Sequence, residues 1–292
     1  MTRLLPLALI VVLVQSCAPR TALLQNVPGG PTRVIAPDNH YTPAQDVQIG
    51  KEAAAQVRKE LPVLNDEVLH SYIESVGRRL IAAIPPEFQH PEFSYTFEVV
   101  NASEINAFAL PGGPMFLNRG MLGAAATEGE IAGVMAHELS HVILRHGTAQ
   151  ASRATPYQVG ELAGGILGAI VGGQIGGLIT QGSQFGISVA FMRFSREFER
   201  QADIQGSHVM AMAGYDPRDM ANMFRTIQEQ GGPGGPEWLS SHPDPGNRYA
   251  YIAQEAKVLP VASPVRNTSE FERIQAHLRQ LPPAPKTPRS GE

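Results

Sequence analysis

The chain has 292 residues, 43% of them hydrophobic, and a formal net charge of −4. That is enough apolar material for a substantial core, and the charge balance gives no basis for nucleic-acid binding. Its one cysteine lies at position 17, so the chain beyond it has no disulfide framework to hold a fold together.

The first 17 residues stand apart. Arg3 supplies a basic start, and Leu4 to Val14 form an almost wholly apolar run. A bilayer span takes ~20 residues, so this run reads as a secretory signal. It closes in Val14-Gln15-Ser16-Cys17, which resembles a bacterial lipobox. Cleavage there leaves Cys17 lipidated at a new N-terminus; the alternative is an ordinary secretory peptide with an incidental cysteine. Ala18 resembles the following residue of lipoproteins that are not retained at the inner membrane. The expected location is therefore the periplasm of a Gram-negative bacterium, tethered by lipid to a membrane, the outer one by the identity of Ala18.

Residues 18–41 contain Pro, Gly, Asn and Thr without apolar periodicity and predict a flexible tether. Thr42-Pro43 opens a helix, and a second helical pattern runs from Asp66 to Ile84, where Pro85-Pro86 stops it. Phe93 to Val100 (FSYTFEVV) predicts a strand, and Ala107 to Leu110 and Pro114 to Leu117 predict short strands around the Pro111-Gly112-Gly113 turn. Thr127 to Glu130 forms a capping box for a helix that is predicted to run to Gly147. Arg145 and His146 fall in its last turn, where His146 reads as a cation facing the negative end of the macrodipole. Val159 to Thr180 is long, apolar and rich in glycine, but Glu161, Gln174 and eight glycines interrupt it. It is expected to lie on the surface or partly buried near the active cleft, in preference to spanning a membrane. A helix from Ile187 to Ala213 ends at Gly214, and Asp216-Pro217 starts another. Residues 281–292 (LPPAPKTPRSGE) predict a disordered tail.

His137-Glu138-Leu139-Ser140-His141 carries the chemistry. On a helix, residues four apart share a face, so the two imidazoles can grip one ion from one side. Glu138 adjoins the first ligand and can serve as general base toward an attacking water. Such a site needs a third protein ligand, and Ser195 to Asp203 offers Glu197, Glu199 and Asp203. Glu199 and Asp203 share a face; Glu199 could bind the metal while Asp203 accepts the spare N–H of a ligand histidine and fixes its tautomer. The competing reading is a solvated charged face with Arg196 and Arg200.

Four blocks, NAFALPGG (Asn106 to Gly113), HELSHVILRH (His137 to His146), SREFERQAD (Ser195 to Asp203) and SSHPDPGNR (Ser240 to Arg248), resemble in order and spacing the HtpX/BepA/LoiP-type zinc metalloproteases, the gluzincins of peptidase family M48. The resemblance implies an α+β, mainly helical metalloprotease domain over residues 42–260, with a small β-sheet whose edge strand borders the active-site cleft. Residues 261–292 are then a C-terminal extension. It selects Glu199 of the Glu-x-x-Ala-Asp pattern as third ligand beside His137 and His141, with one Zn2+ per chain and Asp203 behind a ligand. Some relatives use the histidine matching His242 to close the metal's open position and hold the enzyme latent. For this chain the expectation is that role or oxyanion stabilisation, with Arg248 supporting the loop or polarising the carbonyl. Pro114 to Leu117 is expected as the edge strand that pairs with an extended substrate. The implied activity is cleavage of misfolded or unassembled envelope proteins, with the outer-membrane assembly machinery as a possible partner. The helical repeats of some members are absent, so the chain resembles the short lipoprotein members. The alternatives are a chaperone-like zinc-binding lipoprotein that assists outer-membrane protein assembly, and a membrane-integral protease. His40, His70, His90, His208 and His277 carry no motif and are expected at the surface.

Overall fold

The computed structural model describes residues 22–154, 194–230, 237–244 and 246–286. The segment expected as a secretory signal, with Cys17, and the stretch 159–180 lie outside them. No helix among the described residues is long and apolar enough to cross a membrane.

The helices begin where local chemistry starts them. At α1 (Pro43–Glu60), Thr42 accepts from the Gln45 N–H while the Gln45 side chain accepts from the Thr42 N–H, with Pro43 in the first turn. At α2 (Glu67–Ala82), the Asp66 carboxylate accepts from the N–H groups of Val68 and Leu69. A 3-10 turn at Pro86–Phe88 leads to the sheet. Its first strand in this region, β3 (Thr96–Val100), starts three residues after Phe93, because the Phe93 N–H closes a turn onto the His90 carbonyl. β4 (Ala107–Ala109) and β5 (Pro114–Asn118) complete it.

The strand order is β3-β5-β4, with β5 parallel to β3 and antiparallel to β4. The expectation that Pro114 to Leu117 is an edge strand is therefore incorrect. Met115 faces Phe97 on one side and Ala109 on the other, so both backbone edges of β5 are taken. The edges of the sheet are β3, which packs on α2, and β4, which packs on the helix that carries His137 and His141.

After α3 (Arg119–Ala124), helix α4 (Glu128–Ile143) forms the axis of the molecule; all of its 16 residues are buried. Thr127 caps it by accepting from the Glu130 N–H, but Glu130 reaches past Thr127 to the N–H of Ala126. The helix stops at Ile143 and not at Gly147. Arg145 turns into the left-handed region at φ 57°, and its guanidinium is drawn onto buried Asp46 at 2.5 Å. The chain restarts as α5 (His146–Ala154). The later helices are α6 (Arg196–Met212), α7 (Pro217–Gln230), α8 (Glu237–Ser241), α9 (Arg248–Glu255) and α10 (Ser269–Gln280). α6 begins at its own cap, Ser195, which accepts from the Phe198 N–H. Residues 187–193 of the longer helix expected there lie outside the described ones.

α4 packs on α6, α7, α2 and β4. Two glycines permit the close crossings. A Cβ on Gly133 would lie 2.5 Å from Met220 Cα in α7, and one on Gly206 of α6 would lie 3.3 Å from the backbone of Ala136 and His137. Leu139, Met135, Tyr72, Met115 and Trp238 are among the buried side chains of the core around this axis.

Both ends of the described chain depart from expectation. Residues 22–41 are not a free tether. β1 (Leu24–Gln25) pairs with β2 (Arg33–Val34), Leu23 and Val34 are buried, and the Thr32 N–H and hydroxyl donate to Glu255 at 2.8 and 2.7 Å. Two apolar anchors and a few polar contacts hold the segment, and neither leaves a periodic trace. The C-terminal extension is likewise part of the body, since Phe271 and Ile274 of α10 enter the main core. The start of the proline-rich stretch is packed too: the Pro282 carbonyl accepts from Arg119 at 3.0 Å and the Pro285 carbonyl from the Ser103 N–H at 2.9 Å. Proline lacks a donor but keeps its acceptor.

The α4–α7 crossing gives a direct test. Gly133→Val is expected to destabilise the protein by ~1–3 kcal/mol through overpacking, read as a lower midpoint in urea. An unchanged midpoint would mean that the helices do not approach at this residue.

Candidate metal centre

The helical period of α4 sets His137 and His141 on one face, and the crossing at Gly206 brings α6 against that face. Glu199 and Asp203, one turn apart on α6, thereby enter a region where both are completely buried. His137 Nε2 lies 3.1 Å from His141 Nε2 and 3.5 Å from Glu199 Oε2. His141 Nε2 lies 3.3 Å from Glu199 Oε1. His242, which follows α8, brings Nδ1 to 3.3 Å from His137 Nε2 and 3.2 Å from Glu199 Oε1. The four ligand atoms all lie within 4.8 Å of one another.

These separations fit a zinc ion. Donors held at ~2.0–2.1 Å in a tetrahedron stand about 3.3 Å apart. Hydrogen bonds alone do not satisfy the cluster: Glu199 Oε2 and His242 Nε2 are buried with no hydrogen-bond partner among the described residues. The charge balance agrees. Among the described residues, Glu138, Glu199 and Asp203 place three buried carboxylates around one buried guanidinium, Arg248. Burial by itself favours neutral His137, but its contacts with Asp203 and Glu199 lift it to about 9. A divalent cation would answer that excess negative charge, and two imidazoles with a carboxylate suit zinc.

Behind the candidate ligands lies a second set of contacts. His137 Nδ1 is 2.9 Å from Asp203 Oδ1. Asp203 is gripped by Arg248, whose Nε donates to Oδ2 at 2.9 Å, and by the Tyr251 hydroxyl. Burial opposes its charge, yet Arg248 and His137 hold the Asp203 carboxyl below the usual range. The Arg248 guanidinium lies 3.8 Å over the Phe224 ring and 3.6 Å from Glu199 Oε2. It is thus committed to the two buried acids of α6, Glu199 and Asp203.

Glu138 is buried beside the cluster. Trp238 Nε1 donates to its Oε1 at 3.1 Å, and His242 Nε2 stands 3.4 Å from the same oxygen. The Trp238 ring stacks on His242 at 4.5 Å, so the two side chains form one plug over Glu138.

His146 is not a helix-end cation. It opens α5 instead of closing α4, is fully buried, and is pushed down to about 3 by burial. Glu197, the competing acid, is exposed and pairs with Arg153 at 3.0 Å, away from the cluster. Of the histidines expected at the surface, His40 is exposed. His90, His208 and His277 are half-buried, held by the Ile143 carbonyl, Glu255 and Asp66 respectively. Sequence reading missed Trp238, Tyr251 and Gln201. Trp238 had one available signal: it is the only tryptophan, four residues before His242.

The profile described as Peptidase family M48 matches residues 68–256. The chain belongs to this metallopeptidase family. The matched M48 region contains His137, Glu138, His141, Glu199, Asp203, His242 and Arg248. Among M48 relatives, Beta-barrel assembly-enhancing protease of Escherichia coli is 32% identical over 212 residues, covering 70% of this chain and 42% of that protein. Its Yersinia pestis namesake is 30% identical over 227 residues, covering 75% and 46%. Human Metalloendopeptidase OMA1, mitochondrial, is 29% identical over 182 residues, covering 60% and 34%. The chain spans less than half the length of each of these proteins.

If Asp203 supports His137 as a metal ligand, Asp203→Asn keeps its shape but removes its charge. Zinc affinity is then expected to fall roughly 10-fold or more, measured by competition with a chelator while far-ultraviolet circular dichroism stays unchanged. Unaltered affinity would remove Asp203 from this role.

Proposed function

We propose that this chain is a zinc-dependent endopeptidase held in a latent state by His242, acting on misfolded or unassembled polypeptides of the cell envelope. The observation that carries the reading is the convergence of His137, His141, Glu199 and His242 on one point, with Glu138 at its margin. One zinc ion per chain would be held by the first three residues, with His242 in the fourth position. The names of the bacterial relatives support an envelope role, and Cys17 would provide a lipid anchor on the periplasmic side of the outer membrane.

A bound zinc ion supplies Lewis acidity to a water and to the scissile carbonyl. The protein's own residues do the rest. Withdrawal of the Trp238–His242 plug frees Glu138 Oε1 from both of its neighbours. Glu138 then takes a proton as water oxygen adds to the carbonyl carbon. It returns that proton to the amine nitrogen as the C–N bond breaks. Asp203 and Arg248 keep His137 oriented throughout. An extended substrate would lie along β4, the sheet's edge strand beside α4, through backbone hydrogen bonds that read little side-chain identity. That suits unfolded chains.

Casein digestion tests both parts. Glu138→Gln is expected to lower cleavage by about 10²–10⁴-fold with zinc still bound. Equal fragment patterns from this variant and the wild type would leave a binding protein in place of a protease. His242→Ala is expected to raise basal cleavage; unchanged cleavage together with unchanged zinc affinity would eliminate the latency role.

A further inference from the structure

His146 and Gln201 are completely buried and take no part in the reaction above, yet they join His141 to the N-terminal segment. The Gln201 amide fixes the direction of the chain. Its Nε2 faces two backbone acceptors, the Ile35 carbonyl at 2.5 Å and the Leu23 carbonyl at 3.4 Å. Its Oε1, which can only accept, therefore faces His146 Nε2 at 2.9 Å, and His146 Nε2 must carry the proton. The His146 ring is fully buried, stacks on Phe198 at 4.3 Å within 5° of parallel, and its two nitrogens face an amide oxygen and an imidazole, neither of them an anion that would hold a charged ring. His146 Nδ1 is then a lone pair. It faces His141 Nδ1 at 2.9 Å, so His141 is the donor there, and His141 Nε2 presents its lone pair to Glu199 and His137.

We propose that His146 and Gln201 are positioning residues for the metal centre: a neutral relay, ending on the Ile35 carbonyl, that holds His141 in the tautomer and ring orientation of a zinc ligand. It is the uncharged counterpart of the Asp203–Arg248 pair behind His137. The inference rests on the reading of His141 as a ligand, and the zinc-binding assay separates the two.

Zinc affinity of the full chain is measured by chelator competition, with thermal melting of the metal-free protein in parallel. His146→Phe keeps the ring against Phe198 but has no acceptor, and is expected to weaken zinc binding roughly 10–100-fold. His146→Asn returns an amide oxygen near the position of Nδ1 and is expected to restore affinity toward the wild-type value. Wild-type affinity in both variants, or equal loss in both, overturns the relay. If His141→Ala also binds zinc as tightly as the wild type, the metal-site reading itself fails. Should His146→Phe not fold, long-range proton–nitrogen correlation spectra of the zinc-loaded wild type decide. The expected pattern is His146 protonated on Nε2 and His141 on Nδ1, and the opposite tautomer at His146 overturns the proposal.

Discussion

Burying carboxylates costs free energy unless each one meets a cation or a set of donors. Glu138, Glu199 and Asp203 all lie out of reach of solvent, and among the described residues Arg248 is the one guanidinium beside them. Much of the architecture around them can be understood as the solution to that electrostatic demand. α4 and α6 approach closely at Gly206, so acids on one helix meet imidazoles on the other. The turn carrying His242 and the first turn of α9 close over the remaining side. A dication fits such a cluster better than a sodium ion or water would, because both unneutralised charge and unsatisfied acceptor atoms are concentrated at one point.

The parts of this arrangement visible in the sequence are those with local spacing. Thr42, Asp66, Thr127 and Ser195 each cap a helix through a partner two or three residues away, and the two histidines of α4 are one turn apart. The hidden parts depend on distant partners. Nothing in the local sequence of Gln201 shows that Ile35 and His146 are its neighbours. Alternation identifies β5 as a strand but does not give its rank in the sheet, which depends on β3 pairing from the opposite side. His146 misled because four residues of helix were expected after Ile143. The left-handed turn at Arg145, stabilised by Asp46 from nearly a hundred residues earlier, ends the helix first.

The two histidines of α4 proposed as ligands are backed in different ways. His137 leans on a carboxylate locked by a guanidinium, a charge-assisted contact of the stronger kind. His141 leans on another imidazole, and through it on an amide and the backbone. The first support belongs to α6 and α9. The second runs from α5 through α6 into the chain's beginning. Trp238 adds a third type of contact, donating to Glu138 while stacking on His242. The proposed base and the proposed plug therefore share one indole, and a movement of α8 would release both together.

The seating of Leu23 has a mechanical consequence. Only six peptide steps separate it from Cys17, a reach of no more than ~20 Å even at full extension. With acyl chains on Cys17, as proposed, the catalytic body would ride almost against the bilayer. Force applied through the lipid would load Leu23, whose carbonyl neighbours Gln201. Leash and reaction centre would then be mechanically in series, with very little slack between them.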